Sequence, residues 1–256
     1  MVTRATIRST ADHLAKGSIE MATTVSVMRQ METAGFGDSL DERIFFTGPS
    51  NTREPARLVR RNARQAAARL LRAFVARGME TEAHCERVAA WSRRLAREVG
   101  LPADRVLDIE LGALVHDVGY IGLRGVDFQK KGPHTAVELF ELRRHPEIGV
   151  AILREIPLLR RAVPLVASHH ERFDGTGYPH SHRGSAIPID ARVFQLVDAY
   201  EGMTAGSSGH PKMSDTEARA ELELRAGTQL DPVVHAAFDC IDPTEWLDVA
   251  RNLDVG

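Results

Sequence analysis

The fold class this 256-residue chain predicts is all-α, a bundle of short helices. Pro and Gly cut the sequence into segments of helical length. Within those segments apolar residues return at three- and four-residue intervals. Period-two alternation, the mark of a half-buried strand, is nearly absent.

The elements follow in chain order. Leu14, Met21, Val25 and Met28 fall near helical spacing, so one amphipathic helix is expected in the first fifty residues. "TGPSNTREP" (47–55) reads as a linker that ends in a helix start at Glu54-Pro55. The Ala-, Leu- and Arg-rich segment after it stops at Gly78, a helix terminator. Its arginines read as a solvated face or a surface for a partner helix; no aromatics interleave with them, as a nucleic-acid stripe would require. Further helices are expected at about 81–98, 103–117, 136–143, 146–155, 158–170, 189–205 and 215–226, with loops at "GLP", "KKGP" and "DGTGYP". The organisation expected is a helical regulatory or dimerising segment over 1–78, a domain over 79–242 and a tail over 243–256.

Composition bounds the function. Apolar residues at 43% and charged residues at 27% are ordinary for a globular protein, and a net charge of −2 gives no pull toward nucleic acid or anionic membrane. No window approaches the eighteen or so apolar residues of a membrane span, and the N-terminus lacks a signal peptide's apolar core. Cys85 and Cys240 are too few for a disulfide framework, so a reducing cytoplasm is the expected compartment.

The informative residues are polar ones on apolar faces. Val88, Trp91 and Leu95 set the inner face of 81–98; His84 shares it, and Glu80 stacks one turn earlier if the helix reaches that far. Leu107, Leu111 and Leu114 set the next core face, with His116 and Asp117 at its C-terminal end. His145 aligns with Ile148 and Ile152, His170 with Val163 and Val166 (His169 one position round), and Asp198 with Phe194.

Any one of these residues is more simply read as a hydrogen-bonded core histidine or a capping aspartate. Five helices each delivering His or a carboxylate inward is another matter. Burying so many polar groups without a shared partner costs roughly several kcal/mol apiece. A metal cluster accounts for them together. Imidazole with carboxylate and no thiolate disfavours a structural zinc knot and suits iron or manganese best. Eight ligands call for two or three ions, about 3.5–4 Å apart and bridged by a carboxylate, which bring a bridging water to hydroxide near neutral pH. That chemistry suits attack on a phosphate ester.

The motifs "ETEAH", "HDVG", "KKGP" with "RRHPEIG", "HHERFDGTGYP", "IPIDARVFQLVDAYEGMT" and "AGTQLDP" run in this order from residue 79 to 242. In this order and spacing they resemble the HD-GYP domain, a branch of the HD superfamily that hydrolyses cyclic di-GMP. The resemblance implies an HD-superfamily helical bundle. It places Glu80, His84, His116, Asp117, His145, His169, His170 and Asp198 at metal-ligand positions, with Asp117 bridging two ions as the catalytic carboxylate and Glu80 pointing to a third ion. Gly177-Tyr178-Pro179 is the GYP loop, which the resemblance implies shapes the substrate pocket and meets diguanylate cyclase domains; a homodimer is the other partner expected.

Two departures stand out. The family's HD pair is followed after two residues by a lysine, and here Tyr120 fills that position. A phenol offers one hydrogen bond and no charge near pH 7. The family's downstream basic stretch is replaced by "GSSGHPKMS", leaving His210 and Lys212 as the nearby cations; a milder change is Glu201, where the family usually has Asp after "DAY". Tyr120, Tyr178 and Lys212 are therefore the substrate-binding residues expected. Three readings stand at this point: a phosphodiesterase that opens cyclic di-GMP to the linear dinucleotide or GMP, a metal-loaded receptor or interaction module that binds a cyclic dinucleotide or a partner protein without hydrolysis, and an HD hydrolase of another nucleotide or cyclic dinucleotide.

Overall fold

The computed structural model describes residues 53–251, apart from 77, 79, 125, 127–129, 131 and 207–210. The amphipathic helix expected around Leu14–Met28, the linker up to residue 52 and His210 lie outside the described residues. The helices are α1 (Arg53–Val75), α2 (Glu82–Glu98), α3 (Ala103–Leu114), α4 (Ala136–Leu142), α5 (His145–Arg154), α6 (Val163–Ser168), α7 (Ile189–Ala205), α8 (Asp215–Arg225), α9 (Pro232–Asp239) and α10 (Pro243–Arg251). Single 3₁₀ turns fill Val118–Gly122, Pro157–Ala162 and Gly184–Ala186. Among the described residues the only β-type bridge is an isolated one between Ala226 and Leu230, so the all-α expectation is met. No described helix is long and apolar enough to cross a membrane.

Two helices end earlier than periodicity suggests. Residues 103–117 do not form one helix, because α3 stops at Leu114 and Val115 leaves the helical region (φ −125°, ψ 20°). The cause is local. The ring of His116 donates from Nδ1 to the Ala113 carbonyl at 2.9 Å, the carbonyl a continuing helix would offer to the Asp117 N–H. Residues 158–170 likewise split, into the 3₁₀ turn Pro157–Ala162 and then α6, with His169 as the C-cap. Helices α9 and α10 went unread in the sequence. Each starts at Asp-Pro, Asp231-Pro232 and Asp242-Pro243, the start signal that would have found them.

The core follows the predicted faces with one shift. Val88, Trp91 and Leu95 of α2 are buried as expected. In α3 Leu111 is buried as expected and Ile109 and Ala113 are deepest, with Leu107 and Leu114 only half-buried, because this helix is covered on most sides by α2, α7 and the 157–162 turn. Trp91 stacks on Trp246 of α10 at 5.4 Å and donates its indole N–H to the Trp246 carbonyl; Tyr200 and Phe238 close the aromatic cluster. Fully burying each such side chain contributes on the order of 2 kcal/mol.

Helix α1 presents Ala63, Ala67, Leu70, Leu71 and Phe74 inward. Arg64 holds both oxygens of Glu110 on α3, at 2.9 and 2.8 Å. The compact unit thus runs from Arg53, so this helix packs with the elements that follow it. Arg57, Arg60, Arg61, Arg69 and Arg72 of the same helix face solvent.

Candidate metal centre

Two groups of ligand-type side chains converge. Asp117, His145, His169 and His170 bring donor atoms within 4.8 Å of one another, and so do His84, His116 and Asp198. Asp117 joins the two. Its Oδ1 stands 3.1 Å from His145 Nε2 and 3.5 Å from His169 Nε2, and its Oδ2 stands 3.3 Å from His116 Nε2.

The chain builds this convergence by a repeated device. His116, His145 and His169 each bond through Nδ1 to the carbonyl three residues upstream, of Ala113, Leu142 and Val166, at 2.9, 2.7 and 2.9 Å. A carbonyl only accepts, so each Nδ1 carries hydrogen and each Nε2 is turned inward as the donor atom. His84 is oriented differently: Nδ1 lies 2.8 Å from Glu201 Oε2, which places Nε2 toward Asp198 at 3.8 Å. Glu201 is itself held by Arg87 through two hydrogen bonds, the longer 3.1 Å.

Neighbouring elements hold these residues in place. Phe194 of α7 packs against the His116 ring at 4.8 Å and the His169 ring at 6.0 Å. Gln195 donates to the carbonyls of Ser168 and Glu171, at 3.0 and 2.7 Å, pinning the His169-His170 segment to α7. A Cβ on Gly119 would sit 1.8 Å from the His145 carbonyl oxygen, so only glycine lets the turn after Asp117 touch α5. Gly177 is required in the same way, since its Cβ would lie 2.4 Å from the Arg172 nitrogen. Its role is close backbone approach, more than the tight turn its sequence suggests. Buried Glu171 fixes the far side of that loop, accepting from the His180 and His182 N–H groups at 2.7 and 3.0 Å.

The residues fit divalent ions on three counts. Asp117 Oδ1 is buried and has no hydrogen-bond partner. His145 and His169 have their Nδ1 hydrogens committed, yet their Nε2 atoms face each other at 3.0 Å, and His170 Nε2 is 3.1 Å from the former. Two nitrogen ligands about 2.1 Å from one ion and about 90° apart would stand about 3.0 Å from each other. The electrostatics agree. Burial, reinforced by neighbouring imidazoles, takes His170 well below the usual range and His169 down to about 4, leaving lone pairs available. Burial opposes a charge on His116, but the Asp117 and Asp198 carboxylates outweigh it and carry the ring up to about 9, so this part of the site favours a cation and an ion bound there would displace the Nε2 proton. Burial also opposes the charge of Asp117, yet His116, His145 and His169 hold its carboxyl far below the carboxylate range.

Glu80 joins neither group. Thr81 is the N-cap of α2, so Glu80 precedes the helix and its carboxylate accepts from the Thr81 N–H at 3.1 Å. It still acts through space on His84, favouring that ring's charge. Tyr120 packs its ring on His145 at 4.2 Å, and Tyr178 stacks on His170 at 4.7 Å. Burial first, then the Asp117 charge, keeps both phenols far above their ordinary range and so neutral. Lys212 is exposed, beside Gly206 past the end of α7.

Sequence reading named Glu201 only as the acid after "DAY" and passed over Arg87 and the support both give to His84. Arg87 lies three residues after His84, and Glu201 three after Asp198, each on the face of the ligand it serves. Spacing alone does not tell such a pair from a surface salt bridge.

Comparison with known proteins accords with this geometry. A family model described as an HD domain matches residues 53–234. A cyclic di-GMP phosphodiesterase of Thermotoga maritima is 34% identical over 178 residues, covering 69% of this chain and 48% of its own length. The 3'3'-cGAMP-specific phosphodiesterase 2 of Vibrio cholerae is 32% identical over 176 residues, covering 68% of this chain and 34% of its own. This chain therefore spans between a third and a half of the length of these relatives. Among solved structures, a cyclic GMP-AMP-specific phosphodiesterase of V. cholerae aligns with TM-score 0.53 at 18% identity, over 69% of this chain and 49% of that one. An HDG"Y"P protein from Bdellovibrio bacteriovorus aligns with TM-score 0.50 at 18% identity, over 83% and 76%. These two speak to the fold. With the family match running from α1 into α9, and with the HD pair and the GYP loop meeting around one cluster of histidines, the chain belongs to the HD domain family, in its HD-GYP branch.

Proposed function

We propose that this chain is a metal-dependent phosphodiesterase that opens a cyclic dinucleotide, cyclic di-GMP, to the linear dinucleotide or GMP. The observation that carries the reading is the division of Asp117, one oxygen toward His145 and His169 and the other toward His116. His145, His169 and His170 would hold one ion, His84, His116 and Asp198 a second, and Asp117 both. The relatives named above are phosphodiesterases of cyclic di-GMP and 3'3'-cGAMP, which supports the substrate class.

When bound, divalent ions supply Lewis acidity toward the phosphate oxygens and make water a nucleophile near neutral pH. Iron or manganese suits the mixed nitrogen and oxygen donors. The chain's own part is to fix geometry before substrate arrives. The three Nδ1–carbonyl bonds stop the imidazoles from rotating, Glu201 does the same for His84, and Gln195 keeps the His169-His170 segment against α7. Neutral Tyr120 and Tyr178 flank the histidines and offer hydroxyl groups without charge. Glu80 lies outside both groups, so two ions are the number proposed, and the loop around Tyr178 is the surface proposed for a diguanylate cyclase domain.

A second reading has a specific observation in its favour. Tyr120 lies against His145 where the family motif has a lysine, and a neutral phenol there supports a receptor that holds a cyclic dinucleotide without cleaving it. Metal content and turnover of cyclic di-GMP and 3'3'-cGAMP, measured on one preparation, separate the readings. Conversion at two or more ions per chain supports the enzyme. Tight binding with the ligand recovered intact supports the receptor, and neither binding nor turnover by a metal-loaded sample sinks both.

A further inference from the structure

The site lacks the lysine of its family motif, and the cation next to Tyr178 comes from another element. We infer that Arg143 receives a phosphate of the cyclic dinucleotide, standing in for the positive charge that Tyr120 cannot provide. The inference rests on the cyclic-dinucleotide reading above and adds a residue to it.

Arg143 is the C-cap of α4, two residues before His145, and its side chain is exposed. Its guanidinium lies 5.3 Å from the centre of the Tyr178 ring. That ring stacks on His170, whose Nε2 is 3.1 Å from His145 Nε2. Arg143 is thus linked through one aromatic ring to the group of histidines that Asp117 bridges.

What separates Arg143 from the other arginines near the centre is the lack of an acid. Arg144 pairs with Glu141 at 2.8 Å, Arg87 with Glu201, and Arg172 with Asp174 at 2.9 Å. Among the described residues no carboxylate lies within ion-pair distance of Arg143, and its one recorded partner is the Tyr178 ring. A guanidinium held by a π-face keeps its five N–H donors free in a rigid fork, the geometry that meets a phosphate with two parallel hydrogen bonds. Its charge also acts on Tyr178. Lys212, the other cation the sequence offers, is exposed, and no recorded contact joins it to the histidines.

The test is titration of the full, metal-loaded chain with a non-hydrolysable phosphorothioate analogue of cyclic di-GMP, so that the result does not depend on turnover. Arg143→Gln is expected to weaken binding about 10-fold or more, the loss typical of a charge-assisted hydrogen bond. It should also lower the slope of log affinity against log salt by about one, as one phosphate contact does. Arg143→Lys should recover part of the affinity and the whole slope, and Arg144→Gln should stay within about twofold of the wild type. Binding by Arg143→Gln within about twofold and with an unchanged slope overturns the inference and leaves the substrate reading standing. Weaker binding with an unchanged slope and no recovery in Arg143→Lys marks a structural role and also overturns it. No binding by the wild type removes the substrate reading, and this inference with it.

Discussion

Gly119 and His145 are in backbone contact: a Cβ on the glycine would lie 1.8 Å from the histidine's carbonyl oxygen. This is how a ligand pair at the end of one helix and a ligand at the start of another come to share a centre. The turn Val118–Gly122 is pressed onto α5, and Asp117 and His145 approach to 3.1 Å as a result.

The first prediction concerns that contact. Gly119→Ala must push the turn away from α5, an overpacking that costs about 1–3 kcal/mol or more. Lower stability in urea together with loss of bound metal is expected. Native stability and full metal content would show that the contact does not position the site.

Glu201 is expected to act through His84. Glu201→Gln keeps the shape but removes the charge that orients the His84 ring and pairs with Arg87. Partners of this kind typically govern metal affinity about 10–100-fold. Competition with a chelator measures the loss, and rescue by Glu201→Asp would show that charge and not bulk is responsible. Unchanged affinity in Glu201→Gln would refute the role.

Tyr120→Lys restores the cation of the family motif beside His145. A rise in kcat of about 10-fold or more is expected if the phosphate meets the residue at this position. If Arg143 already supplies the charge the gain will be smaller, and larger in the Arg143→Gln background. A fall in both backgrounds would mean that the Tyr120 ring is needed for packing on His145.

Asp108 sets a pH dependence away from the metal ligands. Burial pushes its carboxyl up to about 6 although Arg161 stands 3.0 Å away. The folded pKa lies above the unfolded value of 3.8, so between about pH 4 and 6 the folded state binds the extra proton. Asp108 therefore makes stability fall as pH rises through that window. Urea unfolding of Asp108→Asn from pH 4 to 7 should lack that fall. An identical profile for variant and wild type would refute the assignment.

The sequence by itself determined the fold class and the identities of the converging residues. Helical periodicity reports burial, and His84, His116, His145, His170 and Asp198 occupy positions aligned with buried apolar neighbours. The motif order pointed to the same family that the fold and the comparisons support. Periodicity misjudged where helices stop, because it cannot register a side chain that takes a backbone carbonyl. His116 takes the Ala113 carbonyl where α3 ends at Leu114, and the HD pair lies on the turn that follows.

Only the tertiary structure decided how the ligands divide. Asp117 turns one oxygen to each group, Glu80 stays outside both, Glu201 reaches across to His84 and Arg87, and Arg143 meets Tyr178, pairings between residues distant in sequence. The physical reason is that a ligand's chemistry is local to its side chain, whereas its direction depends on backbone carbonyls freed at helix ends and on hydrogen bonds and packing from distant helices. Sequence spacing carries the first and is silent on the second.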